Sequence, residues 1–505
     1  MSSSLVILML VALMIAVGYS YEHRAGQETR APLEAVIGTA LSGDAAAAGK
    51  PLSGIDLAAL DRSTRPQDDF YQFANGGWLD STGIPPIYSG YTVYHQVREY
   101  AEVQLRQIIE QAAAQRGEPG TEAQQVGDVY NSWMDVDAIN ARGINPILGD
   151  LEKIAAIQNR TDLVRVMAEL YRQGVEVPYE ITIDLDLKDS TRHAVYFDQS
   201  GITMPNRDYY LDLDNERFAK AREGLPVYIS SLLSRAGQAP SIADAAASKV
   251  YALETAIAAA QWDAVSKRDY DRTYNPYPVG ELAGLGSNCD WAETRKILGI
   301  DGEAQVIIET PTYFEGLDRL IAEQPLNSWK HYVAVRLMDS AAHHLDDTTA
   351  AIQFDYRYRV LYGQQEQTPR WKRGIAMVNG AVGEAAGKLY VAEHFPPAAK
   401  ARMQELVNNV IGTFDESLKE LEWMSGETRA RAREKLSKFT AKIGYPDKWK
   451  DYSSLQIVLG DHFGNARRAH AWAYQRELDK LGQAVDRSEW FMTPQTVNAY
   501  YSPDR

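Results

Sequence analysis

Apolar residues recur at three- and four-residue spacing through most of this chain, the signature of helices that bury one face. The pattern is clear in Val97, Tyr100, Val103, Leu105, Ile108 and Ile109, and again in Val126, Val129, Tyr130, Trp133 and Met134. Long helical patterns then occupy residues 215–264, 313–345, 370–393, 398–424 and 427–442. Their joints fall at Tyr274-Asn-Pro276, Gln324-Pro325 and Phe395-Pro-Pro397, because proline lacks the N–H that a helix interior needs. One stretch breaks the rule. Tyr179 to Leu187 alternates strictly, turns at Lys188-Asp-Ser190 and returns through Ala194-Val-Tyr-Phe197, which predicts a β-hairpin. At the other end of the chain Pro494 stops any arriving helix, and Val497, Ala499 and Tyr501 alternate with Asn498 and Tyr500, which predicts the start of a strand.

Composition narrows the class. The chain has 505 residues, 45% of them hydrophobic, enough for two or more domains with sizeable cores. Its formal charge of −16 argues against nucleic acid or an anionic membrane surface as partner, since both are gripped by concentrated Lys and Arg. Leu5 to Val17 is an unbroken apolar run of signal-peptide length, followed by a small-x-small site at Gly18-Tyr19-Ser20. Residues 1–21 are therefore read as a signal peptide or membrane anchor, the only membrane contact expected, with the body outside the cytoplasm. Residues 22–60, rich in Ala, Gly and Pro, are read as a flexible tether. Cys289 is the only cysteine, so an intrachain disulfide is excluded.

Several motifs share one resemblance. Asp68-Asp-Phe-Tyr-Gln-Phe-Ala-Asn-Gly-Gly-Trp78 sets an aromatic run before a Gly-Gly pair, read as a turn, and is followed by Ile84-Pro-Pro86. Gln199, Gly201-Ile-Thr-Met-Pro-Asn-Arg-Asp-Tyr-Tyr210, Leu361-Tyr-Gly363, Trp371-Lys-Arg-Gly-Ile375, Val382-Gly-Glu-Ala-Ala-Gly-Lys-Leu-Tyr-Val391, Trp423-Met424, Ile443-Gly-Tyr-Pro446 and Trp490-Phe-Met-Thr-Pro-Gln-Thr-Val-Asn-Ala-Tyr-Tyr501 follow in order. From Asp61 onward the chain resembles the neprilysin-type zinc metalloendopeptidases, and its lack of cysteine pairs is similar to the bacterial members.

The resemblance implies a mainly α, two-lobed architecture: a large helical cap with a small β-hairpin over 96–449, and part of a thermolysin-like catalytic lobe from 61–95 and 450–505. It implies hydrolysis of peptides in an enclosed cavity, with zinc polarising the scissile carbonyl and a motif Glu activating water. By the same resemblance Asn498 and Ala499 lie on an edge strand that holds the substrate backbone, and Arg98 lies near the substrate subsites. Where animal relatives have an Arg ahead of this region, the chain reads Gly90-Tyr-Thr-Val-Tyr94.

The chemistry itself has no residues to rest on. Zinc hydrolysis of this type needs His-Glu-x-x-His, two imidazoles one helical turn apart. The nine histidines are His23, His95, His193, His331, His343, His344, His394, His462 and His470; none precedes Glu and no two lie four apart. Each is read as structural or solvated. The expectation is a zinc enzyme in its intact form and no zinc bound by this chain, with catalytic residues beyond Arg505. Cys289 has no motif-linked His, and neither Gly-x-Ser-x-Gly nor a phosphate loop is present. Arg429-Ala-Arg-Ala-Arg433 with Lys435 and Lys438 is read as a wet helix face. The competing expectation is an extracytoplasmic peptide-binding protein without catalysis.

Overall fold

The computed structural model describes residues 56–502. The signal or anchor read at 1–21 and the tether at 22–55 lie outside the described residues. Two compact units result, one formed by the chain up to Val103 with Gln364–Thr368, the other by the remainder. No helix among the described residues is long and apolar enough to cross a membrane.

The first unit is built around helix α1 (Phe70–Ser81), capped by the Asp69 carboxylate, which accepts from Gln72 N at 2.9 Å. Gly76 and Gly77, read from sequence as a turn, lie inside this helix. They are glycines because of what crosses them: an added Cβ would sit 2.5 Å from Asp61 Cβ at Gly76 and 2.4 Å from Ala58 O at Gly77. Ala59 O accepts from Gly77 N at 3.0 Å and Trp78 N at 3.3 Å. Residues 56–60, read as the end of the tether, are therefore part of the folded body. Pro86 O accepts from Gln365 N and Glu366 N, both at 3.0 Å, which ties in the distant short segment.

Helix α2 (Val93–Gln115) begins in the first unit and ends in the second. The second unit continues with α3 (Glu122–Met134), α4 (Val136–Arg142), α5 (Leu148–Ala155) and α6 (Arg160–Tyr171). After β1 (Glu180–Asp186) and β2 (Asp189–Asp198) come α7 (Glu216–Arg235) and α8 (Pro240–Ala260). Strand β3 (Pro276–Pro278), α9 (Trp291–Leu298), β4 (Gln305–Ile308), α10 (Pro311–Glu323), α11 (Leu326–Ala341) and α12 (Asp347–Phe354) complete this half. The larger core runs through it, with Trp329, Tyr332, Val335 and Met338 of α11 fully buried at helical spacing.

The hairpin forms in the expected place, with Ile181 opposite Phe197 and Ile183 opposite Val195. It is not isolated. The sheet has four strands in the order β1-β2-β4-β3, with β4 parallel to β2 and β3 antiparallel to β4. The sequence hid β4 because Val306-Ile-Ile308 is a short apolar run buried on both sides, with no alternation to betray a strand.

A buried polar network threads the larger core. Glu254, fully buried, accepts from Thr203 N at 3.1 Å, Thr203 Oγ1 at 2.7 Å and Tyr210 OH at 2.6 Å, and burial pushes its carboxyl up to about 7. Arg336, with no exposed surface, donates to Thr203 Oγ1 at 3.1 Å and lies 3.6 Å from Asp339. The Asp339 carboxylate also takes Arg357 and the Tyr228 hydroxyl.

The smaller core joins the end of α2 and α3 to α13 (Arg370–His394), residues 452–457 and α16 (His462–Leu478). Between the last two helices lie α14 (Pro397–Glu420) and α15 (Gly426–Ser437). Gln125 Nε2 donates to Tyr452 O at 2.9 Å and Leu455 O at 3.1 Å, fixing the loop before α16. Residues 450–502 thus pack within the second unit, whereas the sequence reading sets them apart with 61–95. Helix α15 has no buried residue, and Arg433 pairs with Asp415 at 2.7 Å, so the basic cluster is a solvated face as expected.

Candidate functional site

The segment 490–502 is held by a defect in a helix. In α13, Val382 leaves helical geometry (φ −139°, ψ 43°), and the carbonyl of the next residue accepts a side-chain bond from outside: Gln495 Nε2 donates to Gly383 O at 3.0 Å and to Asn379 Oδ1 at 2.7 Å. Gly383 and Gly387 lie one turn apart on the same face. A Cβ would sit 3.0 Å from Thr493 Cγ2 at the first, and 2.8 Å from both Pro494 Cδ and Gln495 Oε1 at the second. Two glycines thus make a slot for Thr493-Pro494-Gln495. This is the physical content of the Val382–Val391 motif. Between them Glu384, buried, accepts from Lys450 N at 2.8 Å and pairs with Lys450 Nζ at 3.1 Å.

Past Gln495 the chain emerges. Thr493 O accepts from Thr496 N at 3.0 Å, and the two threonine hydroxyls lie 2.8 Å apart. Asn498, Ala499 and Tyr500 are exposed. Residues 497–501 form no strand, contrary to the alternation in the sequence. Alternation says which side chains share a face, but a strand also needs a neighbour for its N–H and C=O groups, and none lies beside this stretch among the described residues. In its place the Asn498 side chain turns inward: its Oδ1 accepts from Ala499 N at 2.8 Å. Tyr501 stacks on Phe439, ring centroids 6.2 Å apart. Arg98 sits on α2 in the first unit, exposed and with no ion-pair partner among the described residues. Asn498 and Ala499 belong to the second unit.

The histidines give one surprise. His344 closes a single 3-10 turn (Ala342–His344) after α11, and its Nδ1 lies 3.0 Å from Nε2 of His462, the first residue of α16. Sequence spacing dismissed both, because 118 positions separate them. His462 is 4% exposed, and burial, helped by the Arg370 charge, pushes its imidazole down to about 4. Both rings are neutral at pH 7, one donating and the other accepting.

Among the described residues no three His, Cys, Asp or Glu side chains gather as a metal-holding group, and the spacing of the histidines does not fit one either. Cys289 is buried, its backbone N–H bonded to Asp318 Oδ1 at 2.8 Å, and burial pushes the thiol up, away from the thiolate a nucleophile needs.

The sequence profile of peptidase family M13 matches residues 66–446. Human membrane metallo-endopeptidase-like 1 is 30% identical over 486 residues, spanning 89% of this chain and 61% of that protein. Human endothelin-converting enzyme 1 is 26% identical, spanning 89% of this chain and 60% of its own. Among solved structures, the Mycobacterium tuberculosis zinc metalloprotease ZMP1 in complex with inhibitor superposes with a TM-score of 0.84 at 39% identity, covering 89% of this chain and 68% of that one. PepO from Lactobacillus rhamnosis shares the fold with a TM-score of 0.77 at 21% identity, covering 88% of this chain and 70% of that one. The chain therefore spans about three fifths of the length of the curated relatives it matches. A family profile over most of the chain, a mainly helical fold and close structural counterparts agree: this chain belongs to peptidase family M13, the neprilysin-type metalloendopeptidases, and covers the N-terminal part of that family's sequence.

Proposed function

We propose that this chain supplies the helical, peptide-holding part of a zinc-dependent endopeptidase, and that the residues which bind zinc and cleave the peptide lie in polypeptide outside these 505 residues. The observation that carries the reading is the slot on α13, which anchors Thr493-Pro494-Gln495 and so fixes where the exposed Asn498-Ala499 pair begins. A peptide laid along 497–501 in extended form would complete the missing half of a two-stranded ladder. Asn498 Oδ1 is already committed to Ala499 N, which leaves the two N–H donors of its amide for a substrate carbonyl. Ala499, whose N–H is taken by Asn498 Oδ1, contributes through its main-chain carbonyl and is tolerant of other small side chains.

A fluorescein-labelled unstructured peptide, titrated by anisotropy, tests this in the chain as it stands. Asn498→Ala is expected to weaken binding by about 1–3 kcal/mol, roughly ten- to a hundredfold in Kd. Equal affinity of the two proteins would remove Asn498 from the peptide site, and no binding by either would remove the site altogether.

A further inference from the structure

We propose that His462 and His344 form an acid-released latch that pins the N-terminus of α16, and with it the path to the 490–502 segment, to the turn after α11. The latch is built from residues whose only shared feature is position. His462 opens α16, so its ring sits at the positive end of the helix. The neighbouring N-cap, Asp461, accepts from Gly464 N, and its carboxylate is further shared by Arg468 at 3.0 Å and Arg142 at 3.7 Å. The other face of the His462 ring lies 5.0 Å from the Trp133 indole, which already carries Arg370 at 4.0 Å and Arg373 at 5.3 Å. Arg370 pairs with Asp347 at 3.4 Å. On the side of α11 stand His343, its ring 3.9 Å from that of His344, and Asp339, which is taken up by Arg357 and Tyr228.

Every carboxylate around the pair is thus already engaged, and the remaining charges are arginines. A first proton would strand a cation beside Arg370, Arg142 and the helix N-terminus. A second would place two donors face to face across 3.0 Å, where no hydrogen bond can form. The direction follows from linkage. The folded chain holds His462 near 4 while an unfolded histidine titrates near 6.5, so the latch is intact above about pH 6.5 and loses stability as pH falls from there toward 4. The first turns of α16 open, because their ring contact to Trp133 and their hydrogen bond to His344 are made through His462, with only the edge contact of Phe463 on the His344 ring beside them.

Hydrogen exchange of the full chain, read by mass spectrometry at pH 7.5 and pH 5.0 and corrected for intrinsic rates, tests the latch. Peptides over 458–470 are expected to exchange on the order of tenfold faster at pH 5.0, while those over α11 hold steady. His462→Gln keeps a hydrogen-bonding group but cannot titrate, and should flatten that response. Should the variant not fold, histidine-selective NMR of the unmodified chain decides: the His462 ring is expected to stay neutral down to about pH 5 and to titrate together with the opening of α16. Exchange over 458–470 that ignores pH, a rise shared equally by every helix, or a His462 ring that titrates at its ordinary value would each overturn the proposal.

Discussion

Asp339→Ala is expected to lower the unfolding free energy by about 3–5 kcal/mol, the range for breaking a buried ion pair by removing one partner. Asp339 is 3% exposed and serves four groups at once: Arg357, whose Nε donates at 3.1 Å, Arg336 at 3.6 Å, the Tyr228 hydroxyl, and more distantly Gln353. Alanine takes this carboxylate away from two guanidinium groups and a phenol inside the core, leaving Arg336 only Glu176 as an anionic partner and Arg357 only the Thr203 carbonyl. Arg336 has no exposed surface through which water could replace it. The arginines hold the Asp339 carboxyl down at about 2, so its contribution is present above the ordinary carboxylate range and is lost as pH falls through that value. Denaturant unfolding of the two proteins at pH 7 checks this. A difference below about 1 kcal/mol, typical of an exposed pair, would mean the network is solvated.

Gly201→Ala is expected to cost about 2–5 kcal/mol, combining two separate penalties. Gly201 has φ +83°, a left-handed conformation that any Cβ strains. The new Cβ would also sit 2.5 Å from Pro178 Cα, 2.7 Å from Pro178 N and 2.5 Å from the Tyr332 hydroxyl. Two of those three are backbone atoms and cannot swing aside. Tyr332 OH in turn donates to Gly201 O at 2.6 Å, so the clash is delivered into the core beside Thr203 and its bond to Glu254. Gly149→Ala is the control: Gly149 is exposed inside α5 with nothing within 4 Å of its Cβ position, and alanine there should gain up to about 1 kcal/mol. Similar unfolding midpoints for the two variants would refute the assignment of Gly201 to close approach.

These two sites also show what a sequence can and cannot disclose. Helices were legible wherever one face is buried, as in α3, where Val126, Val129, Tyr130 and Trp133 line a single stripe. Proline joints at Pro325 and Pro397 fell at real helix starts for the same local reason. What depends on a distant partner was not legible. Gly76 and Gly77 look like a turn until Asp61 and Ala58 are laid across them, and Gly387 looks idle until Pro494 fills the space beside it. Strand β4 needed β2 to be recognised, whereas 497–501 has the alternation of a strand and no neighbour. The His344–His462 contact joins a turn to a helix start across 118 positions, and no spacing rule reaches that far. Of the residues assigned to the substrate by resemblance, Asn498 and Ala499 are exposed beside their anchor, and Arg98 is exposed on α2.

The division of labour at the centre of this account, peptide holding in this chain and zinc chemistry outside it, is tested most directly by assaying the purified 505-residue chain, with zinc supplied, on an internally quenched fluorescent peptide with and without a zinc chelator. The account predicts no chelator-sensitive cleavage, because neither the spacing of the histidines nor the described side chains furnish zinc ligands. Turnover by this chain alone that the chelator abolishes would contradict it.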